Sequence, residues 1–584
     1  MLAVVASVCA CSGGGGSAQG AAGSVGSSGS GSGGAQVQGG SESVAGALPG
    51  AGQGGANAGG GAAPSAGAGG VVAGAGGAAS GGGPGAGGSG PMLPMFPALL
   101  ADCDVPTAHA HADRALEVML LDFWSGADQY LYAVNPVNGK LTGYWTYAQA
   151  FDALLDGVER TGGLKYRGLL SAFFAGRAAR GWLVDYYDDE AWMTLALMRA
   201  YDLTGEQRYL DTAETIFKDI MTAWDTTCCG QYLGGIWWDH KHSSKATASN
   251  GGPAIAGVRL TARTKKPEYQ EFAKQVYAFW MKDMVNQQTW AIYDHLNPDG
   301  TRAPGALTYN HGLLIGAGLE LSQATGEAHY LEEARQFAAY MMAHGVKTST
   351  LGPVLNDFGN TCEGDCPAWK GIGYRYLALL YRQEPTHTDY ATFLKNNAAA
   401  VWTLARDPAT DLFGSSWAGP TQAGGGIEKQ GSAAMALNLY ALLCGSDPKA
   451  EFAAEGVYEA EEATLEHVAI EAKYQGFGGF GYVAAFAKDK QGVAFEINAP
   501  KAGSYALEWT YAAGAGAATR NVVIDNKALA TAQSFAATAN WDTWANVKTT
   551  VDLPAGKSLI ELRFDAAKSA AGALNLDRLT LTTM

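Results

Sequence analysis

Two adjacent carboxylates, Asp188 and Asp189, open an apolar stretch, YYDDEAWMTLALMRAYDLTG (186 to 205), and their type and spacing suit acid/base and nucleophilic chemistry. Acids in the first turn of a helix feel the positive end of its dipole, so a pair can be held there at modest cost. Trp192, Leu195, Ala196 and Arg199 follow at helical spacing, which fixes the helix by burial and leaves the acids at its mouth. A competing reading makes Asp188 an N-cap and Asp189 an ordinary first-turn acid, a common use of such residues. The flanking rings of Tyr186, Tyr187 and Trp192 favour chemistry.

The elements that must position these acids are helical. From about Ala108 to Cys444 the patterns predict twelve helices, over 110–132, 146–161, 168–180, 189–203, 207–224, 247–263, 267–286, 310–325, 328–344, 368–382, 388–405 and 429–443. An internal repeat supports the count: LTGEQRYLDTAETIF (203 to 217) recurs as ATGEAHYLEEARQFA (324 to 338), and Tyr147, Tyr209, Tyr269, Tyr330 and Tyr390 are spaced by 62, 60, 61 and 60 residues. A period near sixty is one helical hairpin with its loops, so six hairpins account for the 337 residues from 108 to 444. Their inner members, such as AWMTLALMRAY and NHGLLIGAGLEL, are apolar nearly all round, as helices covered on both sides must be. The expectation is an all-α (α/α)6 barrel over 103–446 rather than an open solenoid, which would need polar capping repeats.

After a linker at 447–456 the texture changes to alternating runs such as GVAFEIN, NVVIDN and SLIELRF, which predict an all-β sandwich of jelly-roll type over 457–584. Residues 12–102 are dominated by Gly, Ala and Ser, too poor in large apolar side chains to offset chain entropy, and read as a disordered tether. Before it, residues 1–11 carry an apolar run ending Val8-Cys9-Ala10-Cys11, which resembles a bacterial lipobox; export is expected, with Cys11 lipid-modified or the leader a plain secretory signal.

A net charge of −16 without a sustained basic run argues against nucleic acid and anionic lipid headgroups as partners. The 15 Trp and 26 Tyr offer aromatic faces to the apolar sides of sugar rings. A neutral or cationic ligand, such as a polysaccharide, is therefore expected, for a monomer that reaches a membrane only where Cys11 carries a lipid anchor. Of the eight cysteines, Cys362 and Cys366 bracket a polar loop and suit a local disulfide, while Cys103 and Cys444 lie where a closed ring brings its ends together. Cys228 and Cys229 cannot be paired from sequence. The histidine pairs His109/His111 and His240/His242 lack a sensibly spaced third ligand, so catalysis is expected to need no metal.

YYDDEAWMTLALMRAYDLTGEQRYLDTAETIF, GGIWWDHK (234 to 241), TYNHGLLIGAGLEL (308 to 321) and WKGIGYRYL (369 to 377) together resemble glycoside hydrolase family 76, the endo-α-1,6-mannanases, over roughly 110–445. The resemblance implies an (α/α)6 barrel and a retaining mechanism with Asp188 as nucleophile and Asp189 as general acid/base. Retention needs two carboxyl groups about 5 Å apart, one ionised and one protonated, and like charges in proximity push their pKa values apart. Trp237 and Trp238 in a Gly-flanked loop are candidates for sugar stacking or for packing under that loop. Tyr309 and Asn310 open a helix and should reach the same end of the barrel, with Asn310 as an N-cap the alternative. His311 stands where the family usually has Gln. Lys370 is a candidate for binding sugar hydroxyls, and Arg375 reads better as the partner of acids. Rival readings are a hydrolase for another α-glycan or for unsaturated uronyl units on the same barrel, and a non-catalytic surface glycan-binding lipoprotein.

The last segment has its own signature in VYEAEEATL (457 to 465), GFGGFGYV (476 to 483), NWDTW (540 to 544) and NLDRLTL (575 to 581). These resemble carbohydrate-binding modules of families 35 and 6, in which a structural calcium joins the first strand to the last. Glu459, Glu461 and Asp577 match the positions that supply its carboxylates, a hard-oxygen set suited to Ca²⁺; a salt-bridged strand end is the other reading. Tyr482, Trp541 and Asn575 match positions that stack on and hydrogen-bond a sugar, with Tyr482 as core the alternative.

Overall fold

The twelve expected helices form, in two alternating sets. The computed structural model describes residues 97–135, 137–163, 165–357, 362–420, 425–446, 456–567 and 572–584. The leader, most of the tether and nearly all of the linker lie outside these residues. The inner helices are α2 (Tyr144–Arg160), α4 (Tyr187–Thr204), α6 (Thr247–Thr264), α8 (Thr308–Thr325), α10 (Cys366–Gln383) and α12 (Ile427–Cys444). The outer ones are α1 (Val105–Phe123), α3 (Leu169–Ala178), α5 (Gln207–Thr222), α7 (Pro267–Asp283), α9 (Ala328–His344) and α11 (Thr388–Ala400). Each inner helix packs on the next and α12 returns to α2, so the ring closes into an (α/α)6 barrel.

Small residues let the inner helices approach closely. A Cβ on Gly316 of α8 would stand 2.4 Å from the Tyr376 ring of α10, so only glycine fits that crossing. The expected first helix, 110–132, is displaced: Asp104 accepts from the Thr107 N–H and caps it early, and beyond Phe123 the apolar residues belong to a small hairpin, Trp124–Ser125 with Tyr130–Leu131. The tether also ends sooner than 102. Leu99 and Leu100 donate their N–H groups to the Leu443 carbonyl, and Leu100 is buried, because two leucines at the end of a polar chain still gain by covering the barrel wall.

Three disulfides are present among the described residues. Cys103–Cys444 ties the ring's two ends, Cys362–Cys366 closes the loop before α10, and the adjacent Cys228 and Cys229 are joined to each other. Deeper in the ring, acids of α2 face arginines of α4 and α10: Asp156 takes Arg375 at 2.6 Å and Arg199 at 2.7 Å, while Glu159 takes Arg199 at 3.0 Å and Arg382 at 3.1 Å. Arg375 therefore pairs with acids.

The C-terminal segment is a sandwich of two antiparallel sheets. In one, Leu574–Thr583 lies between Gly503–Ala512 and Tyr482–Phe486 and also pairs with the first strand, Val457–Glu459, setting Glu459 opposite Arg578. In the other, Gly492–Ala499 pairs with Gly556–Arg563. Phe495, Leu507, Trp509, Ile560 and Leu562 fill the space between. The sandwich sits directly on the barrel flank: the Gln129 amide donates to the Leu465 carbonyl at 2.7 Å, and the Tyr166 and Phe480 rings lie 6.3 Å apart. A cavity of about 410 Å³ at this seam, lined by Gln129, Arg208 and Arg563 among others, touches none of the expected site residues.

Candidate active site

The inner helices begin at one end of the ring, and their first turns supply a cluster of acids and rings. Tyr186 is the N-cap of α4, with no side-chain cap, so neither Asp188 nor Asp189 is spent on capping. Asp188 is 6% exposed and accepts hydrogen bonds from the Asp189 N–H at 3.0 Å and from the Trp238 side chain. Burial pushes its pKa up to about 7, with these hydrogen bonds opposing the shift. Asp189 is held well above the usual carboxylate range by burial first, then by the charges of Asp188, Asp365 and Glu190. The donors that stabilise an anion converge on Asp188, so of the two acids Asp189 is the one whose environment favours holding a proton.

Asp365 was not singled out from the sequence. It is the N-cap residue of α10, inside the loop closed by Cys362–Cys366, and accepts from the Trp145 indole N–H, at the start of α2, at 2.8 Å. Burial raises it to about 6. Glu428, in the first turn of α12, is also raised, by burial and by Asp365 among others. The one available signal for Asp365 was its place between two paired cysteines, directly ahead of WKGIGYRYL.

The expected binding residues divide. Trp238 lies at the mouth, its ring 4.9 Å from Tyr186. Trp237 is 6% exposed, stacked on His242 at 4.7 Å with the Lys245 ammonium 4.8 Å over its face, and so packs under the loop. Tyr309 stacks on Trp369 at 5.1 Å, and its hydroxyl donates to Asp294, which also takes the Asn310 amide at 2.8 Å. Asn310 is fully buried and is not the N-cap of α8, which is Leu307. Lys370 is 1% exposed; its ammonium lies 3.8 Å from the Cys362 sulfur, and burial lowers its pKa to about 8, with Asp357 opposing. It sits behind the wall that carries Asp365. His311 is buried too, with Nδ1 against the Leu307 carbonyl and its ring stacked on Tyr340.

In the module Tyr482 has no exposed surface: it is core, with Tyr474, Phe477 and Trp544 packed over it. Trp541 is part-exposed and stacks on Tyr474 at 6.0 Å, and Asn575 is 6% exposed. The part-exposed rings Tyr474, Phe477 and Trp544 complete an aromatic cluster of which the sequence motifs pointed only to Trp541 and Tyr482. At the strand edge nearby, Glu461 accepts from the Phe480 and Gly481 N–H groups at 3.0 and 3.2 Å, and Asp577 from the Gly478 N–H at 2.7 Å. Gly479, at φ +59°, is required there, since a Cβ would stand 2.0 Å from a Glu461 oxygen. Glu459, Glu461 and Asp577 each leave one buried carboxylate oxygen without a hydrogen-bond donor. Among the described residues no three His, Cys, Asp or Glu side chains close around an ion by themselves.

Comparison with known proteins bears on both halves. The model of glycosyl hydrolase family 76 matches residues 107–450, and that of carbohydrate binding module (family 35) matches residues 456–584. The solved GH76A alpha-1,6-mannanase from Salegentibacter sp. HEL1_6 is 27% identical, with a TM-score of 0.52, covering 58% of this chain and 100% of that one. A variant of it, inactive with two successive aspartates changed to asparagine, is solved with alpha-1,6-mannotriose; it is 26% identical, with a TM-score of 0.52, over 58% of this chain and 100% of that one. A curated cycloisomaltooligosaccharide glucanotransferase of Niallia circulans is 39% identical over 128 residues, 22% of this chain, and the chain spans only 13% of that relative's length.

Proposed function

The chain belongs to glycosyl hydrolase family 76 and carries a family 35 carbohydrate-binding module, and from that premise we propose that it is a retaining, endo-acting hydrolase of α-1,6-mannan. The observation that carries this reading is the unequal setting of two successive acids at one helix mouth. In the first step an Asp188 oxygen attacks the anomeric carbon, the glycosidic C–O bond breaks, and the leaving oxygen takes the Asp189 proton. In the second, Asp189 takes a proton from water, whose oxygen displaces Asp188 from the same carbon. The α-1,6-mannanase structures support the choice of substrate, and the part-exposed Trp238 offers a ring at the mouth.

We further propose a calcium ion in the module. The donor set fits: three acids, each with one buried and unsatisfied oxygen, are a hard-oxygen set that is costly to leave without a cation. Glu459, Glu461 and Asp577 would hold it, and it would supply only charge neutralisation between the first strand and the last. The aromatic cluster around Trp541 is the module's proposed sugar platform. Product analysis on linear α-1,6-mannan tests the enzyme reading: internal cleavage with retained anomeric configuration supports it, and inversion or no cleavage rejects it.

A further inference from the structure

Directly behind the catalytic pair lies a second pair of acids. Glu190 is fully buried, one residue beyond Asp189, and one of its oxygens accepts the Val184 N–H at 2.9 Å. Its other oxygen has no donor, and neither does Oδ2 of Asp219 on α5, yet the two carboxyl groups are in hydrogen-bond contact. Two ionised carboxylates cannot make such a contact, and a buried anion with a single N–H donor is costly. His240 does not resolve the problem, because its Nε2 stands 3.7 Å from Asp219, beyond hydrogen-bond length, on a side chain 44% exposed.

We infer that Glu190 and Asp219 hold one proton between them, and that this hydrogen-bonded acid pair positions the mouth of α4, and with it Asp188 and Asp189. What it ties together is specific. Glu190 anchors the segment before α4 through Val184, and Asp219 anchors α5. The same segment is knitted to the Trp238 loop: the Tyr187 N–H donates to the Trp238 carbonyl at 2.9 Å and the His240 N–H to the Asp185 carbonyl at 3.0 Å. Trp238 in turn donates to Asp188, so a slack α4 mouth would misplace acid and donor together.

The groups facing Glu190 are Tyr187 and Asp189 on its own helix, Asp219 from α5 and Tyr144 from α2; beyond these, Asp239 and His240 of the following loop neighbour Tyr187 and Asp219, and Arg177 of α3 neighbours Tyr144 and Asp189. Burial, with Asp219 among the lesser causes, raises the Glu190 carboxyl to about 8, consistent with a retained proton. With Glu190 neutral, its share in raising Asp189 falls away, and burial, Asp188 and Asp365 remain as the causes.

The positioning role rests on the proposed catalytic reading, whereas the shared proton does not, and the test separates them. Glu190→Gln keeps an acceptor for Val184 and a donor for Asp219, so its melting temperature becomes independent of this proton. A carboxyl pKa raised by folding costs stability progressively as pH climbs from its unfolded value to its folded one. The wild type should therefore lose melting temperature relative to Glu190→Gln between pH 5 and 8 and then run parallel to it. A difference that is constant with pH overturns the shared proton, whatever the enzyme cleaves. On α-1,6-mannan, Glu190→Ala should lower kcat by about a hundredfold, the order that a 1 Å misplacement costs, with KM changed far less. Glu190→Gln should recover most of that loss. Asp219→Ala, which removes the carboxylate that Glu190 donates to, should lower kcat in the same sense as Glu190→Ala, with KM again changed far less. A Glu190→Gln variant as impaired as Glu190→Ala, or an unchanged kcat in Asp219→Ala, overturns the positioning role.

Discussion

The barrel mouth and the strand edge of the module each gather three buried or half-buried acids, and they deal with the charge in opposite ways. At the mouth, Asp188, Asp189 and Asp365 are met by indole and backbone N–H donors and by a proton, so the cluster can give and take that proton. In the module, Glu459, Glu461 and Asp577 each keep an oxygen with no donor, and the nearest cation, Arg578, stands 3.9 Å from Glu459 and 3.6 Å from Asp577. A third cluster, mid-barrel, uses arginines of α4 and α10. Burial raises the cost of an anion everywhere, and the supply of donors decides whether a proton, a metal or a guanidinium offsets it. Only the proton solution leaves groups free to react.

The largest effect should come from breaking the mouth itself. Asp188→Asn and Asp189→Asn should each lower kcat on α-1,6-mannan by about 10⁴-fold or more, since both are proposed to act on one bond. Stability should move the other way. Both carboxyls have folded pKa values above their unfolded ones, so each costs stability as pH rises, and the asparagine variants should melt higher than the wild type at pH 8. A variant that keeps its activity, or melts lower at that pH, breaks the comparison.

Next in size is the guanidinium solution. Arg375→Met leaves Asp156, which has no exposed surface, without its closest partner and should cost about 3–5 kcal/mol of stability, read by denaturant unfolding. A loss under 1 kcal/mol would show the cluster to be less dependent on its arginines than drawn here.

The metal solution should be smaller and conditional. Calcium at about a hundred times its Kd should stabilise the module by about 2.7 kcal/mol, so chelation of the full chain should lower the melting temperature of its transition. Glu461→Gln should lose that response. A melting curve indifferent to chelator would remove the cation from the comparison.

Smallest is a tuning effect inside the mouth. Asp365 contributes a charge that raises both Asp188 and Asp189, the proposed nucleophile and acid/base, so Asp365→Asn should shift the kcat/KM profile toward lower pH, its acid limb moving below the value near 7 set by Asp188. About a tenfold loss of kcat/KM is expected as the Trp145 contact weakens, an order typical of a lost hydrogen bond to a charged group. An unshifted profile would make Asp365 a structural cap only.

By itself the sequence determined the repeat, the ring, the sandwich and the two acids, because each rests on a local pattern: sixty-residue hairpins, inner helices apolar all round, period-two strands, and successive carboxylates at an apolar helix start. It also pointed to Arg375 as the partner of acids, and to Cys362 with Cys366, neighbours along the chain. What only the tertiary structure decided is which side chains face an opening and which face protein. Trp237 and Trp238 are adjacent and alike, yet one lies under the loop and the other donates to Asp188; Lys370 reads as a ligand for hydroxyls until the disulfide and Trp417 close over it. Asp365 joins the site from about 180 residues away, through a loop whose composition advertises only a disulfide. Glu190 and Asp219 meet across two helices whose spacing no linear pattern encodes. The physical reason is common to all four. Exposure, proton occupancy and donor supply are properties of what surrounds a group in space, and a closed ring brings those surroundings from every part of the chain.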